Sequence, residues 1–139
     1  MSNNTTNQSL ETTIDGYNCN QDCAEYWARM KYNVQFKRVV RSHLTAIDLL
    51  IEHGELSIFQ INRLTNGFYK ARAIIRQLTK FGVVTPTGKT KLTLVANKGK
   101  VEALVYALTD KETAYQYAVF LMDLLEERGG DYATNERLL

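Results

Sequence analysis

"LSIFQINRLTNGFYKARAIIRQLTKFGVVTP", residues 56–86, carries two helical signals on either side of a break. Ser57-Ile58-Phe59-Gln60 is a capping box: the serine hydroxyl is placed to accept an N–H of the first turn, and Gln60 is placed to reach back. A short helix to about Leu64 follows from it. Thr65-Asn66-Gly67 then interrupts the chain, because Asn-Gly readily supplies the positive φ of a tight turn. A second helix is predicted from Phe68 to Phe81. Two helices joined by a glycine-containing turn of about three residues form the helix-turn-helix signature.

On a helical wheel the second helix separates into two faces. Phe68, Ala71, Ile74, Ile75, Leu78 and Phe81 cluster on the side to be buried, while Tyr69, Arg72, Ala73, Arg76, Gln77 and Lys80 occupy the other, with Lys70 and Thr79 at the edges. No acidic residue interrupts the wet face. Arginine bridges guanine O6 and N7, glutamine bridges adenine N6 and N7, and a small residue such as Ala73 permits close approach to a base edge. Tyr69, Arg72, Ala73, Arg76 and Gln77 are therefore the candidate base-contacting residues, and Lys70 and Lys80 are better placed for phosphate.

Beyond Gly82 the periodicity switches from helical to alternating. Val83–Thr85 is predicted as a first wing strand and Pro86–Thr90 as the wing tip. Lys91–Ala96 forms a second strand, alternating Lys91, Thr93 and Val95 with Leu92, Leu94 and Ala96, and Asn97–Lys100 turns again. "VEALVYAL" (101–108) is apolar on both faces and fits a buried strand or a helix; its length and valines favour the strand. Gly88-Lys89-Thr90 resembles the end of a nucleotide-binding loop, but that pattern needs a glycine at position 83, which is Val83. The flanks are also reversed, with a helix before and a strand after. Lys89, Lys91, Lys98 and Lys100 on this wing, with Arg63 on the first helix, join the candidate phosphate contacts.

Outward from this segment, residues 1–20 are polar, rich in Asn, Thr and Ser, and are expected to be a disordered tail. Trp27, Met30, Val34, Val40, Leu44, Ile47, Leu50 and Ile51 recur at helical spacing, predicting two helices or one bent helix that ends at Gly54. Its basic residues suit either phosphate contact or an ordinary wet face. Thr109-Asp110-Lys111-Glu112 reads as a second capping box, opening a helix with Ala114, Tyr117, Ala118, Leu121, Leu124 and Leu125 on one side and stopped by Gly129-Gly130. Phe120 and Met122 lie off that stripe, so this helix has apolar surface to cover the domain's own core or to pair with a second copy. The expected fold is α+β and mainly helical: a winged helix-turn-helix over 21–108 with an extra N-terminal helix, followed by a long C-terminal helix and a flexible end over 109–139.

Charge sharpens the functional expectation. Of 139 residues, 1–55 hold five basic and seven acidic side chains, 56–101 hold nine basic and none acidic, and 102–139 hold three basic and eight acidic. Such a concentrated positive field attracts a polyanion. No stretch approaches the roughly 18 apolar residues of a membrane span, and the start lacks the basic and apolar regions of a signal peptide. A cytoplasmic, nucleoid-associated protein is expected. Cys19 and Cys23 stand in a C-x-x-x-C spacing with only His43 and His53 as other soft ligands, so they read as free thiols rather than a metal site. The basic segment contains no carboxylate pair and no histidine-centred nucleophile set. Asp123, Glu126 and Glu127 read as the wet face of the last helix. Neither catalysis nor a cofactor is expected.

Ser57-Ile58, Gly67-Phe68, Lys70-Ala71 and Gly82-Val83-Val84-Thr85-Pro86 carry a resemblance to the winged-helix gamma domain of the FtsK/SpoIIIE DNA translocases. The resemblance covers about 30 residues and implies a domain that reads short motifs in double-stranded DNA and also contacts a tyrosine recombinase. Lys70 stands where that family has a basic DNA-contacting residue, whereas Tyr69 and Ala73 replace its usual asparagine and arginine. Without a motor domain, the chain looks like a free-standing relative such as a phage or plasmid regulator. The expected function is a sequence-specific, dimeric DNA-binding transcriptional regulator; the alternative is a protein-interaction module, a recombinase or replication accessory factor, in which DNA is secondary.

Overall fold

The computed structural model describes residues 12–14, 17–65 and 70–138, with side chains over 20–65 and 70–127. In chain order the elements are β1 (Thr12–Ile14), β2 (Tyr17–Cys19), α1 (Gln21–Met30), α2 (Phe36–His53), β3 (Glu55–Ser57), α3 (Ile58–Leu64), α4 (Ala71–Lys80), β4 (Val84–Val95), β5 (Gly99–Leu108) and α5 (Lys111–Leu138). The architecture is α+β and mainly helical. β3, β5 and β4 lie side by side, in that order, in an antiparallel sheet.

α2 is the spine. Phe36, Val39, Val40, His43, Ala46, Ile47 and Leu50 recur every three or four residues and are all buried. Against this stripe pack Trp27 from α1, Ile74, Ile75 and Leu78 from α4, and Tyr117, Phe120, Leu121 and Leu124 from α5. Trp27, Phe36, Tyr117 and Phe120 are almost completely enclosed; aromatic side chains of this size each stabilise the fold by about 1.5–3 kcal/mol through burial. α5 is thus part of the one core. One local bond and one long-range bond fix the helix ends: Asn20 caps α1 by accepting from the Cys23 N–H and also donates to the Lys80 carbonyl at 3.0 Å, joining the start of α1 to the end of α4.

Several local expectations hold. The capping box closes α3, with Gln60 N–H donating to Ser57 Oγ and Ser57 N–H donating to Gln60 Oε1. Gly54, at φ 85°, ends α2 and donates to the Leu50 carbonyl. Residues 101–108 lie within strand β5, as their length and valines favour.

Others need correction. Two strands, β1 and β2, pair within the stretch expected to be a disordered tail, while residues 1–11 lie outside the described residues. The leading segment is two helices, one of the two arrangements expected, but the break moves the apolar register: Gln35 N–H donates to the Asn33 side chain, α2 restarts at Phe36, and Val34 is left 90% exposed. Ile51 also turns outward. β3 was not foreseen, since its three residues are too few to show periodicity. Pro86–Thr90 is not a tip. Pro86 pairs with Tyr106 and Thr90 with Leu104, so residues 87–89 bulge opposite the single residue Val105 while the strand continues. Gly88, at φ 86°, permits the bulge, and Thr87 pins it by donating to the Val105 carbonyl. The hairpin turns instead at residues 96–98, overlapping the turn expected over Asn97–Lys100, with Asn97 (φ 69°) in it and Gly99 (φ 71°) just after it supplying the left-handed conformations.

At α5 the cap is Asp110, not Thr109. Its carboxylate accepts from both the N–H and the hydroxyl of Thr113, which holds its pKa below the ordinary value. Gly129-Gly130 does not stop the helix, which runs on to Leu138; glycine disfavours a helix by about 1 kcal/mol but does not forbid it sterically. Phe120, expected off the stripe, is fully buried, whereas Met122, also off it, is exposed.

Candidate nucleic-acid interface

The face expected to be wet on α4 is wet. Arg72, Arg76 and Lys80 are exposed and Ala73 and Gln77 half-buried, while Ala71, Ile74, Ile75 and Leu78 opposite them are buried. Spacings of four residues stack Arg72 over Arg76 over Lys80, and Ala73 over Gln77, as two adjacent rows. Tyr69, and the Asn66-Gly67 turn with Phe68, lie outside the described residues. Lys70 is exposed and precedes α4 in the left-handed region, φ 47° and ψ 57°. A lysine there is strained by about 1–3 kcal/mol relative to ordinary backbone. It is held by the helix it opens, whose Ile74 N–H donates to the Lys70 carbonyl.

Gln77 differs from the arginines beside it, because its amide oxygen is already engaged. His43 Nε2 lies 2.9 Å from Gln77 Oε1, His43 Nδ1 lies 2.8 Å from Tyr117 Oη, and Trp27 Nε1–H donates to the same Tyr117 oxygen at 3.0 Å. Four side chains from four helices form one polar chain through the core. His43 is fully enclosed, ringed by Tyr26, Trp27, Phe81 and Tyr117. Burial lowers its pKa to about 4, against a smaller raising effect from the Gln77 bond. The imidazole is neutral at physiological pH. The sequence reading did not assign His43 to this network; its only signal was a polar residue in step with the apolar stripe of α2.

The basic residues of the hairpin are not equivalent. Lys98 sits in the turn and Lys91 and Lys100 on the strands, all exposed. Cross-strand partners share a face: Lys91 stands beside Ala103 and Lys100 beside Leu94, which places these two lysines on opposite faces of the hairpin. Lys89 lies in the bulge, where its ammonium is 3.0 Å from Glu55 Oε2. Part of its charge is therefore spent inside the molecule. Arg63 is exposed in the last turn of α3.

Two apolar surfaces are exposed, of which the sequence reading touched only the second, through Met122. Leu92, Leu94 and Leu104 share one face of the hairpin and are each more than half exposed. Tyr115, Val119 and Met122 form an exposed row along α5. Among the described residues no acidic, histidine or cysteine cluster is arranged to hold a metal ion, and no helix is long and apolar enough to cross a membrane. Cys23 is buried in the core; the side chain of Cys19 lies outside the described residues. No known protein family, curated protein or solved structure matches the chain.

Proposed function

We propose that the chain is a sequence-specific double-stranded DNA-binding protein of winged helix-turn-helix type, acting on the nucleoid as a transcriptional regulator of the phage or plasmid kind. In this reading α3 and α4 are the helix-turn-helix, α4 lies in the major groove, and the β4–β5 hairpin is the wing. The observation that carries it is the α4 face: Arg72, Arg76 and Lys80 project from it with no acidic neighbour in residues 56–101, over an opposite face that is wholly buried. The resemblance of residues 56–86 to the translocase gamma domain supports the same reading. Arg72 and Arg76 read bases; Lys80, Lys98 and Arg63 hold phosphate, and Lys91 or Lys100 joins them according to which face of the wing meets the duplex.

In vitro selection of bound duplexes tests this directly. A defined site is expected, palindromic if two copies bind. Arg76→Ala should then lower affinity for the selected site by about 1–3 kcal/mol while leaving random duplex binding nearly unchanged. Equal losses on both duplexes would remove the base-reading role.

The exposed leucines of the hairpin and the Tyr115–Val119–Met122 row favour a second reading, a protein-interaction module that grips a recombinase, a replication factor or a second copy of this chain. Retention on a random duplex at rising salt separates the two. Several phosphate contacts give a steep loss with salt, whereas absence of binding at low salt selects the interaction module.

A further inference from the structure

The four-residue polar chain determines which atoms Gln77 can offer to a base. An amide oxygen only accepts, so the proton between His43 and Gln77 belongs to His43 Nε2, 2.9 Å from Gln77 Oε1. A neutral imidazole with its proton on Nε2 has a bare Nδ1, which accepts from the Tyr117 hydroxyl at 2.8 Å. Tyr117 Oη in turn accepts from Trp27 Nε1–H, a group that can only donate. The three bonds are mutually consistent, with the Gln77 end setting the tautomer and the phenol oxygen accepting from the indole while its proton goes to the imidazole. The oxygen of Gln77 is drawn inward, and its two N–H donors are what remains for the α4 face.

We infer that Gln77 is a donor-only reader that selects guanine. The usual glutamine–adenine pair needs both functions at once, the oxygen accepting from adenine N6–H and the nitrogen donating to N7. Here that oxygen is committed to a histidine with no exposed surface. Guanine asks for the opposite: its N7 and O6 are both acceptors, and one amide nitrogen with two N–H groups serves both. The inference rests on α4 being the helix that enters the major groove, and it reverses the adenine preference that a free glutamine would bring.

Selection with the wild-type protein, Gln77→Ala and Gln77→Glu tests it. The glutamate keeps an oxygen for His43 but presents an acceptor to the duplex. The wild type should select guanine at one position; Gln77→Ala should flatten that position alone, and Gln77→Glu should replace guanine by cytosine, whose N4–H donates. Placing 7-deazaguanine at that position should weaken wild-type binding about tenfold, and Gln77→Ala binding not at all. Wild-type selection of adenine at the position these variants alter overturns the inference. So does a wild-type site that neither variant changes, with the DNA-binding function intact. A wild-type protein that selects no site overturns both the inference and the function beneath it.

Discussion

Acidification should expose the buried histidine. In the folded chain His43 has a pKa near 4, lowered from 6.5 mainly by burial, whereas an unfolded chain presents it to water at the ordinary value. Between these limits the unfolded state binds a proton that the folded state refuses, so stability is fully present above about pH 6.5 and is lost as pH falls toward 4. From the two pKa values the loss is about 2 kcal/mol by pH 5 and about 3 kcal/mol by pH 4. Below pH 4 the folded protein takes the proton as well and this contribution levels off. Against a typical stability of about 5–15 kcal/mol, that is a large fraction. Asp110, whose pKa is lowered by its bonds to Thr113, acts in the same direction only at more acid pH. Urea unfolding at several pH values between 4 and 7, for the wild type and for His43→Gln, measures the effect. The wild type should lose stability steeply across this window, and the variant, with nothing to titrate at position 43, should show a much flatter dependence whatever its starting stability. Parallel curves would show that His43 is not enclosed as described.

Further outcomes follow from single contacts. Tyr117→Phe removes the oxygen that serves both the Trp27 indole and His43 Nδ1, and should cost about 2–5 kcal/mol by urea titration, since two buried polar groups lose a partner. Phe120→Ala should cost about 3–5 kcal/mol, because the ring is fully enclosed in the core; a loss under about 1 kcal/mol would mean that α5 does not pack as described. Ser57→Ala, which breaks the capping box of α3, should cost about 1 kcal/mol. On random duplex, Lys98→Ala should flatten the salt dependence by about one unit, and Lys89→Ala by less, because Lys89 already faces Glu55; equal effects would show that the ion pair opens on binding.

Elements whose signal is local were legible before the fold was seen. The capping box at Ser57–Gln60, the glycine stop at Gly54 and the two faces of α4 each depend on residues within one or two turns of helix, and each stands where the sequence puts it. What failed depended on partners far along the chain. Proline, glycine and a lysine between threonines suggest a turn, yet residues 87–89 stay in the strand because β5 continues to pair on both sides of the bulge. Asp110 and Thr109 are equally good caps by type; which one is used follows from where β5 releases the chain, since Thr109 N–H is taken by the Val83 carbonyl. Phe120 lies off the obvious stripe of α5 but is buried, because α5 is covered over a wide arc by α2 and its neighbours. In the candidate site, Arg72, Ala73 and Arg76 were legible from the wheel, while the pairing of Lys89 with Glu55 and of Gln77 with His43 spans 34 residues in both cases and leaves no periodic trace.

The same polar chain bears on where the functional unit ends. A division after residue 108 would set α1–α4 and the hairpin apart from α5, but Tyr117 on α5 holds His43, and His43 holds Gln77 on the basic face of α4. Side chains of a surface helix normally choose their own rotamers, and a glutamine in water offers donor and acceptor equally. Here that choice is restricted by the buried His43, which is itself held by a phenol and an indole of the core. The orientation has little entropy left to lose on binding, which is the condition under which a single hydrogen-bonding side chain discriminates well. If α4 reads DNA as proposed, α5 contributes to that face at one remove, because the ring that holds the Gln77 oxygen is itself held by Tyr117.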